Sequence, residues 1–174
     1  MAKVCDLKQN KRIFITSING LLGHSLFESM RNDHVTINLN NGQKPHRFLG
    51  TLNPKPSGGM ITPPPSETAV KIIDSKSKPK TFTKQVRGSD IIILDVSQFS
   101  SCLEEASQVI NALKYTDSKP EFRQTLIVVS SPMTWSKSGK NPGGYEDCDY
   151  EKRMPLPKYQ NLKQVEVAAL ALQK

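Results

Sequence analysis

The chain has 174 residues, 36% of them hydrophobic, and 24 Lys and Arg against 16 Asp and Glu give a formal net charge of +8. That length carries one domain with a real core, while 12 prolines and 10 glycines point to long polar loops. No run approaches the roughly 18–20 apolar residues of a transmembrane helix, and MAKVCDLKQNKR at the N-terminus lacks the apolar stretch of a secretory signal.

Residues 1–11 read as a flexible arm, and 12–174 as a single domain. Arg12–Thr16 (RIFIT) is predicted as a buried strand, and Leu21, Leu22, Leu26 and Met30 form a helical stripe. Val35–Leu39 (VTINL) alternates as a strand does, Asn40-Asn41-Gly42 signals a turn, and His46–Leu52 (HRFLGTL) is the next candidate strand. Residues 53–68 (NPKPSGGMITPPPSET) are a loop by composition. Ala69–Asp74 (AVKIID) reads as a strand ending on an acid, and Thr81–Arg87 as a short helix.

Gly88-Ser89-Asp90 opens Ile91–Val96 (IIILDV), the near-continuous apolar run of a parallel strand covered on both faces. Leu103–Tyr115 is predicted as a helix capped by Ser100 or Ser101, with Glu104 and Glu105 in its first turn, where the helix dipole favours acids. Thr125–Val129 (TLIVV) is another apolar strand, followed by Ser130-Ser131-Pro132. Residues 136–149 form a second long polar loop, and Tyr159–Gln173 reads as a helix. Apolar strands alternating with amphipathic helices predict an α/β fold: a Rossmann-like three-layer sandwich with a mainly parallel sheet. The sequence stops within the last helix, so the fold is read as cut short at its C-terminal edge.

The segment Ser17-Ile18-Asn19-Gly20-Leu21-Leu22-Gly23 joins the first strand to the first helix. A dinucleotide-binding fold begins in this way, because glycines let a pyrophosphate approach the backbone and the helix N-terminus. Gly20 and Gly23 are placed for that role, whereas Ser17 stands where the pattern G-x-x-G-x-x-G has its first glycine. Two glycines at a turn also serve plain strand–helix packing. The acid that holds the ribose hydroxyls belongs at the end of the second strand; VTINL and HRFLGTL both run into asparagines, Asn38, Asn40 and Asn53, and Arg47 is the nearby residue that could face a 2′-phosphate.

Tyr159 and Lys163 form a Y-x-x-x-K, which shares one helix face. An ammonium beside a phenol favours the phenolate and suits acid–base work in hydride transfer. Ser130, at the end of the preceding strand, could bond a substrate oxygen. The bland alternative is that Tyr159 opens a helix and packs on the sheet.

Other chemistries lack their residues. Cys5, Cys102 and Cys148 have neither CxxC spacing nor an even count, and His24, His34 and His46 lack ligand spacing, so no disulfide framework and no metal site is expected. The kinase string G-x-x-x-x-G-K-[ST] is absent, since no lysine follows Gly143-Gly144. Lys76, Lys78, Lys80, Lys84 and Arg87 make the densest basic stretch without interleaved aromatics, so nucleic acid is not the expected partner. The positive balance suits an acidic protein surface.

In order from residue 12 to about 172, the chain resembles the extended short-chain dehydrogenase/reductase superfamily. The likeness is carried by the glycine turn, AVKIID, GSD before IIILDV, VVSS and Y-x-x-x-K. It implies a cofactor site at Ser17, Gly20, Leu22, Gly23 and Asp74, the last against adenine, and catalytic roles for Ser130, Tyr159 and Lys163. The stretches LGTLNPKP, VVSSPMTWSKS and DYEKRMPLPKYQNL are more closely similar to the N-terminal Rossmann-like domain of the adenylate kinase 7 family, proteins of motile cilia and flagella. That resemblance implies a non-catalytic structural module of an axonemal assembly, in the cytoplasm and cytoskeleton, with axonemal proteins as partners and no membrane contact. No cofactor is expected on that reading. The alternative is an NAD(P)-dependent oxidoreductase or epimerase using the Ser/Tyr/Lys set.

Overall fold

The structure, a computed structural model, describes residues 11–38, 46–54, 70–74, 76, 78–97, 102–114, 124–139, 144 and 147–172. Among the described residues are five strands, β1 (Arg12–Ile15), β2 (Arg47–Gly50), β3 (Val70–Ile72), β4 (Ile91–Asp95) and β5 (Thr125–Val129), and four helices, α1 (Leu21–Asn38), α2 (Pro79–Arg87), α3 (Leu103–Lys114) and α4 (Gln160–Leu170). Short 3-10 turns at Pro132–Trp135, Asp147–Lys152 and Pro157–Tyr159 fill the approach to α4.

The sheet order is β3-β2-β1-β4-β5, and every neighbouring pair is parallel. The register sets Arg12 beside Arg47, Ile13 beside Ile91 and Ile91 beside Thr125. All strands therefore end on one side of the sheet, and the order reverses between β1 and β4. In open parallel sheets ligands bind at this topological switch point.

The strand sequences follow from burial on both faces. Phe14, Ile92 and Leu94 point into a core with Phe82 and Val86 of α2, Val109 of α3 and Leu162 of α4. Ile13, Ile15 and Ile93 point to the other side, where Ile18, Phe27 and Phe48 form a second core under α1. Edge-to-face ring pairs mark both layers: Phe14 with Phe82 at 5.8 Å and Phe27 with Phe48 at 5.1 Å. The expected three-layer Rossmann-like sandwich is what the chain forms. Asp90 ties β1 to the start of β4 by accepting the Arg12 N–H at 2.7 Å.

One expected strand is a helix. Residues of VTINL up to Asn38 belong to α1, which runs on to Asn38. Five alternating residues compete poorly with a helix already propagating, and no glycine or proline interrupts the chain between Gly23 and that point. HRFLGTL thus holds the second strand, β2, which pairs in parallel with β3. The last helix starts at Gln160 rather than Tyr159, which closes a 3-10 turn instead. Residues 1–10 of the arm read at 1–11, residues 55–68 of the loop read at 53–68, and Ser100 and Ser101 lie outside the described residues.

Candidate functional site at the switch point

The turn after β1 lies at the reversal of strand order. Ser17 has φ 52°, the one positive φ among described non-glycine residues. Serine thus adopts the left-handed backbone that glycine takes without cost. Its N–H donates to Thr51 Oγ1 at 3.0 Å, its carbonyl accepts from Gly20 N–H at 2.8 Å, and its Oγ lies 3.4 Å from Cys102 Sγ. These contacts hold the turn where strain alone would open it.

Gly23 sits beneath this turn. A Cβ there would lie 2.5 Å from the Ser17 carbonyl oxygen and 2.9 Å from Ile18 Cα, so backbone would have to move. Gly20 is buried as well, Leu22 is half-buried, and the first turn of α1 carries no acid. A helix N-terminus without a resident carboxylate is open to an anion.

Asparagines close the β2 side. Asn19 Nδ2 donates to the Asn53 carbonyl at 2.8 Å, and Asn53 N–H donates to Asn19 Oδ1 at 2.7 Å. This reciprocal pair is buried and fixes the turn against the chain leaving β2. Asn53 Nδ2 also reaches Cys102 Sγ at 3.8 Å, so the buried thiol at the start of α3 joins the same network. Arg47 stands at the opposite end of β2, paired in register with Arg12, and faces away from the crevice's strand ends. It is no candidate for a 2′-phosphate here.

Two carboxylates stand at this crevice that the sequence order did not reveal. Glu105 lies in the first turn of α3. Burial pushes its carboxyl above the usual value of 4.5, and the Thr51 side chain opposes that shift. Asp95 ends β4 and is 1% exposed. Its Oδ1 accepts from Ser97 N–H and Ser97 Oγ, while Oδ2 has no hydrogen-bond partner. Thr16 Oγ1 accepts the Asp95 N–H at 2.9 Å, which locks β4 to the turn.

Asp74 follows β3 at the same side of the sheet, exposed, with Oδ1 accepting the Lys76 N–H at 2.8 Å. Lys76 in turn lies 3.5 Å from Glu104, bridging the chain after β3 to α3. A Cβ at Gly23 would meet the turn's own backbone, so this glycine lets α1 pack closely under the turn, while the buried Asp95 Oδ2 at the same end of the sheet lacks a donor.

Ser130 and Lys163 lie beyond β5 and on α4, each with its own partner. Ser130 Oγ donates to Glu166 Oε1, one helical turn past Lys163. Glu166 is 6% exposed and pairs through Oε2 with Arg153. The Arg153 guanidinium lies over Trp135 at 5.6 Å and Tyr150 at 5.9 Å. Lys163 Nζ donates to the carbonyls of Arg153 at 2.6 Å and Glu151 at 3.3 Å. Tyr159 is half-buried, with Lys158 Nζ 4.8 Å from its ring centre. The segment between β5 and α4 is therefore clamped by Ser130 and Lys163 together with Glu166 and Arg153.

No family model matches the chain, and no curated protein sequence does. Among solved structures the chain is similar to vestitone reductase from alfalfa (Medicago sativa), with a TM-score of 0.55 and 16% identity, over 92% of this chain and 52% of that one. It thus spans about half the length of that reductase. The likeness is one of fold. It carries no argument for the adenylate kinase 7 likeness.

Proposed function

We propose that this chain is a dinucleotide-binding domain of the reductase type, taking NAD(H) or NADP(H) at the switch point between β1 and β4. The observation that carries the reading is the turn at Ser17–Gly23. Its serine keeps the left-handed backbone at φ 52°, and Gly23 leaves no room for a side chain. Ser17 thus takes the backbone region that glycine favours. Pyrophosphate would meet the N-terminus of α1, with Gly20 and Leu22 along its approach and Asp74 on the adenine side. The bound group would supply the hydride chemistry. The likeness to a reductase fold supports the same reading.

Hydride transfer by Ser130, Tyr159 and Lys163 asks more of the chain. Ser130 would have to exchange Glu166 for a substrate oxygen, and Lys163 would have to leave two backbone carbonyls. As arranged, these side chains hold the approach to α4, which favours binding without turnover.

The test is thermal melting of the chain with each dinucleotide. Binding at 100 times the dissociation constant adds about 2.7 kcal/mol, which is several degrees for a domain of this size. A dose-dependent rise supports the reading, and an unchanged melting temperature at millimolar NAD(H) and NADP(H) ends it.

A second reading rests on the resemblance of LGTLNPKP, VVSSPMTWSKS and DYEKRMPLPKYQNL to the adenylate kinase 7 family and on the net charge of +8. On it, the domain serves as a scaffold bound to acidic proteins of a motile cilium or flagellum. Retention on detergent-stripped axonemes supports it; full release into the soluble fraction counts against it.

A further inference from the structure

We infer that β5 is the pairing edge for a second copy of this chain, joined strand to strand about a twofold axis into one continuous sheet. Among the described residues β5 closes the strand order and pairs with β4 alone. The two edges of the sheet differ in how they are defended. β3 is three residues long and exposes Lys71, and short, lysine-bearing edges resist pairing. β5 runs for five residues, TLIVV, with no charge, proline or glycine. Charged side chains are missing from the whole stretch 124–136.

The strand's alternation sets what it offers. Thr125 N–H donates to the Asp90 carbonyl at 2.9 Å, and the Val129 carbonyl accepts from Val96 N–H at 2.9 Å. Thr125, Ile127 and Val129 therefore turn their backbone groups to β4, and the N–H and C=O of Leu126 and Val128 turn outward. Side chains alternate on the same strand. Leu126 and Val128 pack on the core that holds Leu162 of α4, and Val129 packs on the core under α1. Ile127 shares the face of Val129, yet it stays 42% exposed.

TLIVV fits a reversed copy of itself. Set antiparallel with Ile127 on the axis, Leu126 lies opposite Val128 of the second copy, and each such pair exchanges both of its N–H···O bonds. Ile127 meets its counterpart in a non-hydrogen-bonded pair, where the Cα atoms come closest, at about 4.5 Å. The exposed apolar surface of each is then covered by the other. Thr125 falls opposite Val129, so the whole strand is used. A second chain also brings a charge of +8, so the contact needs neutral surroundings. α4 packs beside β5 and supplies them, since its exposed residues Gln160, Asn161, Gln164, Val167 and Ala168 are uncharged. Identical edges consume each other, and association stops at two chains.

Sedimentation equilibrium of the full chain over a concentration series reads the assembly. The wild-type chain is expected to approach twice the chain mass. Ile127→Lys should stay at the single mass, since an edge lysine opposes pairing and this exposed position accommodates it. Cysteine crosslinking reads the register, against the wild-type background of Cys5, Cys102 and Cys148. Ile127→Cys should give a disulfide-linked pair on mild oxidation, because facing Cβ atoms lie within about 5.5 Å. Thr125→Cys, opposite Val129, should give none above background. A wild-type chain that stays single leaves the edge to some other partner and overturns the assignment, as does a dimer that survives Ile127→Lys. Growth beyond two chains, absent linkage through Ile127→Cys, or equal linkage through both cysteine variants overturns it as well.

Discussion

Ser17 and Gly23 carry opposite tolerances although they touch. A left-handed backbone costs a non-glycine residue roughly 1–2 kcal/mol. Ser17→Gly removes that cost but adds freedom to the unfolded chain and forfeits the contact with Cys102 Sγ. Its expected effect on stability in urea unfolding is under about 1 kcal/mol either way. Gly23→Ala forces a Cβ against backbone at 2.5 Å, and overpacking of this kind costs about 1–3 kcal/mol or more. The same measurement should show a clear loss for that variant.

Glu105 makes stability depend on pH. Its folded-state pKa is raised by burial, so the folded chain binds the proton more tightly than the unfolded chain does. The buried charge therefore costs stability at neutral pH. That cost is relieved as pH falls through the raised folded value, and it is gone below the ordinary value of 4.5. Glu105→Gln should melt higher than wild type at pH 7, and the gap should close below pH 4.5. A gap that widens on acidification contradicts the burial argument. The residue's role was not legible in the sequence, where its position in the first turn of α3 marks it only as a helix-dipole acid. Thr51 follows β2, and only the sheet order brings that segment near the start of α3.

The elements differ in how plainly they were written. Ile91–Val96 was legible because a strand buried on both faces must be apolar throughout, and Thr125–Val129 is equally apolar although it ends the strand order and leaves Ile127 42% exposed. VTINL was not legible: its alternation is a local signal, and a helix already nucleated at Leu21 overrides it. The approach to α4 was legible in its residues but not in its wiring. Ser130 and Lys163 stand in their expected elements, yet Glu166 and Arg153, which the sequence did not single out, take up their company.

That wiring predicts how the element fails. Glu166→Leu strands the Arg153 guanidinium in a buried position, and breaking a buried pair costs about 3–5 kcal/mol. Adding Arg153→Met to it should recover part of the loss, because two apolar side chains satisfy each other. Chemical denaturation of the single and double variants measures this. Additive losses in the double variant would mean that the two side chains do not depend on each other.

At the scale of the whole molecule, the parallel sheet and its order bring every feature of the site to one edge. The β1 turn, the Thr51–Asn53 segment, Asp95 and the start of α3 are distant in sequence and converge because strands β2, β1 and β4 are adjacent and end together. The strand–helix alternation made the architecture legible, and the glycine turn falls at the point where the strand order reverses. What the sequence obscured was whether Ser17 had closed that place, since a serine in a left-handed turn is permitted only by partners from β2 and α3.

The central claim is that the Ser17–Gly23 turn still holds a dinucleotide. Hydrogen–deuterium exchange of the full chain with and without saturating NADH tests it where it is made. The account predicts slowed exchange at the amides of Gly20–Gly23 and at the end of β2, with the α2 amides unchanged. Exchange at the turn that stays the same at millimolar NADH, or protection confined to other elements, would contradict it.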